Sequence, residues 1–328
     1  MTIIYDESQA DPSLLAGQTV AVVGYGNQGR CWALNLRDSG CDVRVCVRAD
    51  HTRQQATADG FAAADVDTAS AADVLCVLVP DDAIPALGLA PGPEALTVVA
   101  SGYPLAFDRI DPDGDVGMVA PRMLGPEVRR TYQEGVGFIT AVGVHRDRTG
   151  RALDRTLAVA AAIGGLRQGA IALTPHQEAV LDLAVEQALA PVLTRVNQSF
   201  VEVMSNAGIP LEAILCELFL SGEVERNYRL LREEGYAAQL EYHSPASQYG
   251  QLSRRSRFEG VDVASIMADV VTEIADGRFA EEWEAEAASG YPTLGALKEE
   301  AAGPLIQDFE AEIRRRLGQS RTGESRTG

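Results

Sequence analysis

Three glycines stand in one short segment, Gly24-Tyr25-Gly26-Asn27-Gln28-Gly29. The segment follows an apolar, β-branched run at 18–24 and precedes a helical stretch from Gln28 to Ser39, which predicts a strand, a tight turn and a helix. In that context the first glycine makes the turn, the second lets the main chain approach a pyrophosphate, and the third lets helix and strand pack closely. The helix N-terminus adds N–H groups and a positive dipole. We therefore expect a dinucleotide cofactor to contact Gly24, Tyr25, Gly26, Asn27, Gln28 and Gly29.

The residues that follow the next predicted strand, CDVRVCV (41–47), bear on the choice between NAD and NADP. An acidic side chain there binds the ribose 2′-hydroxyl of NAD, whereas an arginine accepts the 2′-phosphate of NADP. Arg48 and Arg53 favour NADP, and Asp50 favours NAD. We expect NADP, with NAD as the alternative. Pro80 and Ser101, at the ends of two further predicted strands, are also assigned to the cofactor site.

Two acidic residues in the second half of the chain, Asp182 and Glu186, are spaced i, i+4. On a helix this spacing places both carboxylates on one side, where they can share a cation. The flanking Leu181 and Leu183 are apolar, and a carboxylate in apolar surroundings needs a partner. The pair therefore predicts contact with a metal ion or with a polar group of a substrate.

The composition limits the classes of protein. The chain has 328 residues, 46% hydrophobic and 23% charged, a globular balance at a length that favours two domains. The chain has a formal net charge of −19. It therefore lacks the excess of basic residues that a nucleic-acid binder needs, and an anionic membrane would repel it. No apolar run has membrane-spanning length, and residues 1–11 do not resemble a signal peptide. Five cysteines without a CxxC pair favour a reducing, cytoplasmic location.

Six apolar runs predict strands, and helical or polar segments separate most of them. This alternation predicts an α/β fold with a Rossmann-type parallel sheet covered on both faces. From about residue 150 the apolar residues recur at helical spacing, which predicts an all-helical second half. The predicted strands lie at 18–24, 41–47, 72–80, 96–101, 115–121 and 136–144. We expect a dinucleotide-binding domain at 1–174, a helical substrate and dimerisation domain at 175–317, and a disordered tail at 318–328.

Longer motifs resemble the ketol-acid reductoisomerase family in its short, class I type. The resemblance begins with YDESQADPSLLAGQTVAVVGYGNQGRCWALNLRDSGCDVRV and covers nearly the whole chain. It continues in DVGMVAPRMLGPEVRRTYQEGVGF, IGG (163–165), DLAVEQ (182–187), SPASQYG (244–250) and DGRFAEEWEAEAASGYPTL (276–294). The resemblance implies a knotted helical domain that dimerises to complete the site. It also implies two steps: two magnesium ions promote alkyl migration in a 2-hydroxy-2-methyl-3-oxo acid, and NAD(P)H then reduces the resulting 2-oxo acid.

The resemblance assigns site residues position by position. Asp182 and Glu186 match two metal ligands of the family's DLxxEQ motif, and Glu217 falls on a third when Ala-Gly at 207–208 is aligned with the family's Ala-Gly. Ser244 matches a serine that contacts the substrate. Its neighbour His243 is a further catalytic candidate, because histidine titrates near neutrality.

Three positions depart from the family's pattern. Ser101 replaces a histidine, Arg122 replaces a lysine, and Ser221 stands where a fourth metal-binding glutamate belongs. Arg122 keeps the positive charge and can bind a carboxylate bidentately, but it is too weak an acid to deliver a proton. Because one carboxylate is missing, magnesium at the three that remain is an open expectation. The catalytic candidates are Asp182, Glu186, Glu217, Arg122, Ser244 and His243.

Three functions compete on this basis. The first is an NAD(P)H-dependent reductase of a small 2-oxo or imino carboxylic acid that has lost the alkyl-migration step. The second is an authentic magnesium-dependent ketol-acid reductoisomerase of branched-chain amino-acid biosynthesis. The third is a non-catalytic, nucleotide-binding regulatory protein. We favour the first, acting as a cytoplasmic homodimer or higher oligomer on a small anionic substrate, without nucleic acid or membrane as a partner.

Overall fold

A computed structural model describes residues 1–301 and 311–318. The chain divides into two compact units, Met1–Leu183 and Ala184–Gly328, which we call the first and the second unit. The sequence placed the domain boundary between residues 174 and 175, near the start of the helix that ends the first unit. The tail expected to be disordered falls, except for Gly318, outside the described residues.

The first unit is built on a nine-stranded sheet. Its strand order is β1-β9-β8-β7-β6-β5-β2-β3-β4. The six strands from β4 to β7 are parallel neighbours, and the chain reverses its direction of winding between β2 and β5. Ligands bind in the crevice at such a reversal, outside the carboxyl ends of the strands. The strands are β1 (Ile4–Tyr5), β2 (Thr19–Val23), β3 (Asp42–Cys46), β4 (Ala63–Ala64), β5 (Val74–Val77), β6 (Leu96–Val99), β7 (Asp115–Pro121), β8 (Thr140–Arg146) and β9 (Ala170–Ala172).

All six predicted strands are present, but the sheet is not purely parallel. β8 runs antiparallel to β7, and β1 runs antiparallel to β9. The sequence missed β1, β4 and β9, which have only two or three residues each. Such segments are too short to show a two-residue periodicity. Since β9 follows residue 150, the prediction that everything beyond that point is helical is wrong for this strand.

The helices of the first unit cover the sheet and bury its apolar side chains. On one face Trp32 and Leu36 pack with Phe138, and all three side chains are inaccessible to solvent. On the other face Leu75 and Met118 are equally buried. Fully apolar strands buried on both faces are typical of parallel sheets. The helices are α1 (Asn27–Asp38), α2 (His51–Ala58), α3 (Tyr103–Ala106), α4 (Gly125–Gln133), α5 (Ala152–Ala162) and α6 (Pro175–Ala184).

The second unit is helical throughout its described part. Two π-helical turns, Val185–Leu189 and Cys216–Leu220, interrupt the α-helices. No helix in the described ranges is long and apolar enough to cross a membrane. The α-helices are α7 (Ala190–Asn206), α8 (Leu211–Leu215), α9 (Glu223–Glu234), α10 (Tyr236–Leu240), α11 (Pro245–Arg254), α12 (Ala264–Ala275), α13 (Arg278–Ala288) and α14 (Pro292–Ala301).

Candidate active site

The glycine segment forms a tight turn between β2 and α1. Gly24 has a φ of +96°, and a Cβ there would lie 2.5 Å from the carbonyl oxygen of Leu78. A Cβ on Gly29 would lie 2.3 Å from the carbonyl oxygen of Gly24. At Gly26, by contrast, a Cβ would meet nothing within 4 Å. The outer two glycines are therefore required by packing, and the middle one faces the open space that a pyrophosphate would need.

The N-terminus of α1 suits an anion. Gly26 is its N-cap and provides no side-chain cap, so the first N–H groups and the positive end of the helix dipole remain available to a phosphate. This part of the chain thus fits the dinucleotide that the motif predicts.

Two side chains of the segment serve the fold. Tyr25 is 3% exposed, and its hydroxyl donates to Asp59 at 3.0 Å. The amide of Gln28 donates to the carbonyl of Met123 and accepts from the Trp32 indole. A cofactor at these two positions would therefore contact the main chain and not the side chains. The Asn27 side chain, by contrast, is exposed.

The residues after β3 differ in their freedom to reach a 2′-phosphate. The side chain of Arg48 is 85% exposed, with its Nε 3.7 Å from the carboxylate of Asp50. The guanidinium of Arg53 donates to the carbonyl of Val47 at 2.7 Å and pairs with Asp65. Asp50 caps α2 by accepting from the main chain and hydroxyl of Thr52. The geometry therefore leaves Arg48 free to bind phosphate and ties Arg53 to the end of the sheet.

Arg122 stands at the carboxyl edge of the sheet, directly after β7, and faces α6. Its Nη1 lies 2.6 Å from Oε1 of Glu178, and its Nη2 pairs with Asp182 one turn later. The other oxygen of Glu178 accepts from the amide of Gly102 at 2.5 Å. The first unit thus brings together two predicted site residues, Arg122 and Asp182. It adds Glu178, whose side chain is 1% exposed and which the sequence analysis missed.

A second residue that the sequence analysis missed is Asp81. It follows Pro80 at the start of a 3-10 helix after β5. Burial, and then the charges of neighbouring carboxylates, raise the pKa of Asp81 to about 7. Those neighbours are Asp82, Glu178 and Asp182. Two consecutive aspartates at the end of a buried strand were the available signal, because strand ends at this edge of a parallel sheet converge on one crevice.

Glu186 and Glu217 lie in the two π-helical turns of the second unit, and both side chains are exposed. π-Helical turns are rare and often mark functional positions. Ser221, at the position of the missing glutamate, donates to the carbonyl of Glu217 and accepts from the amide of Glu223. Its hydroxyl therefore helps to start α9 and offers no negative charge.

Ser244 and His243 lie at the start of α11. Ser244 caps the helix by accepting from the amide of Ser247 at 3.3 Å. Nε2 of His243 lies 2.7 Å from the amide nitrogen of the buried Gln239. With the amide oriented to donate, Nε2 is the acceptor and the proton of the neutral ring lies on Nδ1.

One of the metal ligands that the family resemblance implies is already paired with a cation. Asp182 is paired with Arg122, and in the described part of the chain no group of three or more His, Cys, Asp or Glu residues could hold a metal ion. Magnesium prefers six oxygen ligands in a near-octahedral shell. A guanidinium already bound to a carboxylate is a competing cation, so we derive no step of the chemistry through a metal.

The fold and the glycine cradle define a dinucleotide-binding oxidoreductase. The model of the NADPH-binding domain of acetohydroxy acid isomeroreductase matches residues 14–169, and the model of the C-terminal domain of ketol-acid reductoisomerase matches residues 176–318. The chain belongs to the ketol-acid reductoisomerase family and is an NAD(P)-dependent oxidoreductase. The resemblance, the fold class and the cofactor class predicted from the sequence are thereby confirmed.

Three relatives illustrate this membership. The ketol-acid reductoisomerase (NADP(+)) of Caldivirga maquilingensis is 36% identical, with 98% of this chain and all of that protein aligned. The enzyme of the same name from Methanocaldococcus jannaschii is 34% identical over 97% of this chain and 99% of its own. The solved structure of an NADH-preferring ketol-acid reductoisomerase from an uncultured archaeon superposes with a TM-score of 0.89 at 30% identity, covering 95% of this chain and 98% of its own.

Proposed function

We propose that this protein reduces a small 2-oxo or imino carboxylic acid with NAD(P)H and does not carry out alkyl migration. The observation that carries the proposal is the double ion pair of Arg122 with Glu178 and Asp182. Migration in the family takes two divalent cations held by carboxylates. Here one of those carboxylates is engaged by an arginine, and another is replaced by Ser221. Dependence on magnesium is accordingly weak or absent.

The cofactor is proposed to bind along the carboxyl edge of the sheet. Main-chain groups from Gly24 to Gly29 hold the pyrophosphate, and Arg48 receives a 2′-phosphate at the adenosine end. Pro80 and Ser101, at the ends of neighbouring strands, line the path toward the nicotinamide. When bound, NAD(P)H supplies a hydride to the carbonyl or imine carbon. The protein's own part is to fix the distance and direction of that transfer.

Reduction also needs one proton, because the hydride leaves a negative charge on the oxygen or nitrogen of the substrate. A bound water supplies it in our proposal, or His243 does so in its imidazolium form, with the Gln239 amide turned so that its oxygen accepts from Nε2–H. Ser244 donates a hydrogen bond to the substrate, and Arg122 acts by holding the carboxylate of Asp182 in place. Glu186 and Glu217 remain candidates for contact with a polar or cationic substrate group.

We further propose that the protein is a homodimer or a higher oligomer. Six large apolar side chains repeat along one side of α7 and the π-helical turn before it, and each is more than two-fifths exposed. Patches of this kind mark interaction surfaces in soluble proteins. They are Val185, Leu189, Leu193, Val196, Phe200 and Val203.

The second candidate is an authentic magnesium-dependent ketol-acid reductoisomerase, which the names of the relatives favour. The two are distinguished by incubating purified protein with 2-acetolactate, NADPH and magnesium, and in parallel with 3-hydroxy-3-methyl-2-oxobutanoate. We expect NADPH oxidation with the second substrate or another 2-oxo acid and none with 2-acetolactate. Efficient formation of 2,3-dihydroxy-3-methylbutanoate from 2-acetolactate would establish the ordinary family reaction instead. Failure to oxidise NADPH with any 2-oxo or imino acid would support the non-catalytic alternative.

A further inference from the structure

One guanidinium joins two carboxylates that lie one turn apart on α6. Each terminal nitrogen of Arg122 takes one of them, Nη1 for Glu178 and Nη2 for Asp182. The planar fork of arginine suits this task, because its charge is permanent and its nitrogens are held in a fixed geometry. A lysine ammonium is a single point of charge and could not place a separate nitrogen on each carboxylate.

The surroundings of Glu178 show why it needs a counter-ion. Its side chain is 1% exposed, and its second oxygen is held by the amide of Gly102. A Cβ on Gly102 would lie 2.8 Å from that oxygen and 2.1 Å from the carbonyl oxygen of Pro175, so only glycine permits this approach. Both oxygens of Glu178 are therefore occupied by protein donors. A buried carboxylate left without such partners would be strongly destabilising.

A second arginine of the same unit provides a contrast. Arg130 also pairs with two carboxylates, Glu127 and Glu134, but all three side chains are at least 44% exposed. Water and salt ions can compensate those charges if the arginine is removed, and exposed ion pairs of this kind contribute little to stability. Burial of Glu178 is what makes the charge of Arg122 necessary.

We infer that Arg122 is the permanent counter-ion of Glu178 and Asp182 and takes the charge-compensating place of a divalent cation, so that this carboxylate pair binds no metal in the native protein. A divalent ion would have to displace the guanidinium from both oxygens and would be repelled by it at short range. A site whose carboxylates are neutralised by an arginine needs no magnesium for charge compensation. This consequence for the reaction rests on the proposed function.

The test compares Arg122→Met with the wild type and with Arg130→Met, using the full chain without substrate or NADPH. Mn²⁺ serves as the probe, with bound ions counted by electron paramagnetic resonance and Tm measured in chelator and in millimolar Mn²⁺. We expect Arg122→Met to lose about 5 °C in Tm in chelator. Mn²⁺ should restore most of that loss and should bind in one additional equivalent per chain. Arg130→Met should change Tm by less than about 1 °C and gain no bound ion.

Two further variants locate the ion. In the Arg122→Met background, Asp182→Asn should abolish the additional equivalent, whereas in the wild type it should leave the number of bound Mn²⁺ ions unchanged. Loss of a bound ion from the wild type on Asp182→Asn would overturn the inference, as would the absence of any gain in Arg122→Met. If that variant does not fold, Arg122→Gln, which keeps a polar side chain but removes the charge, replaces it, and an unchanged Mn²⁺ count in Arg122→Gln would equally overturn the inference. Because no turnover is measured, these outcomes are independent of which substrate the protein reduces.

Discussion

The two units of the chain bury their apolar side chains to very different degrees. In the first unit Trp32, Leu36 and Phe138 are completely inaccessible and pack between sheet and helices. In the second unit α7, with 17 residues, has none that is buried, and Val196 and Val203 are 58% and 64% exposed. The first unit therefore buries its large apolar side chains within itself, whereas α7 of the second unit leaves an apolar surface exposed. If the protein assembles as proposed, its stability is local in the first unit and shared between chains in the second.

The proposed assembly through the apolar side of α7 should respond most strongly to substitution. Leu193→Asp places a charge in the middle of the apolar side of α7, and a twofold interface would bury it twice. An unpaired buried charge costs about 3–5 kcal/mol, so two of them should dissociate a homodimer at micromolar concentration. Analytical ultracentrifugation should show the wild type as a dimer or larger and the variant as a 35.0 kDa monomer. A monomeric wild type would contradict the proposed assembly.

Leu36→Ala tests the other side of the comparison. The Leu36 side chain is fully buried on the inner face of α1, and removing it should lower the free energy of unfolding by about 3 kcal/mol. Chemical denaturation followed by circular dichroism measures the change. The loss should be independent of protein concentration, because this core lies within one chain. If the loss diminished as the protein was concentrated, the first unit would also depend on assembly.

Within the segment Gly24–Gly29, one glycine should matter for cofactor binding and another for packing. Gly26 has an ordinary φ of −79° and open space around its missing side chain, so Gly26→Ala should fold normally. Its methyl group would occupy the approach of the pyrophosphate, and we expect NADPH affinity to fall about 100-fold, or about 2.7 kcal/mol. Fluorescence titration with NADPH measures it. Gly29→Ala is the matched control and should lower Tm as well, because its methyl group would meet the Gly24 carbonyl.

Of the two arginines that follow β3, Arg48 should contribute to cofactor binding and Arg53 to the stability of the fold. Arg48→Ala should reduce NADPH affinity about tenfold by removing a charge-assisted hydrogen bond to the 2′-phosphate, while NADH affinity stays level. Arg53→Ala should lower Tm, because its guanidinium holds the carbonyl of Val47 and the carboxylate of Asp65. Competition titrations with both cofactors give the result. A selective loss of NADPH binding in Arg53→Ala, with unchanged Tm, would reverse the two roles.

The smallest expected effect is a pH dependence. The pKa of Asp81 is about 7 in the folded protein, against 3.8 for an ordinary aspartate. Between these values the folded state holds a proton that the unfolded chain has released, so stability falls as pH rises from about 4 to about 7. Asp81→Asn removes this fall and should stabilise the protein by on the order of 1 kcal/mol at pH about 8, with little change at pH about 4.

The control for that measurement is Asp82→Asn, since Asp82 is exposed. Because the charge of Asp82 is a smaller cause of the raised pKa of Asp81 than burial is, Asp82→Asn should retain most of the fall in unfolding free energy with rising pH. Equal effects of the two substitutions would show that the pH dependence does not arise from the burial of Asp81.

The features that follow directly from the amino-acid sequence are local in the chain. The strand, turn and helix around Gly24–Gly29 follow from neighbouring residues, because a tight turn with a positive φ requires glycine and a β-branched apolar run favours a buried strand. The helix expected from Gln28 to Ser39 is found at Asn27–Asp38. The change from apolar runs to helical spacing likewise separated a sheet domain from a helical one.

Contacts between residues that are distant in the chain depend on how the elements pack. Arg122 and Glu178 are far apart in the chain, and their contact exists because β7 ends opposite the first turns of α6. The same long-range packing buries Glu178 and partly buries Asp81. A carboxylate that is taken out of water needs a hydrogen-bonding or charged partner. The packing of the first unit also engages the Arg53 guanidinium at the end of the sheet and leaves Arg48 exposed, although nothing in the sequence distinguished the two arginines. Spacing predicts what one element can present, whereas charge compensation depends on the low-dielectric surroundings that several elements create together.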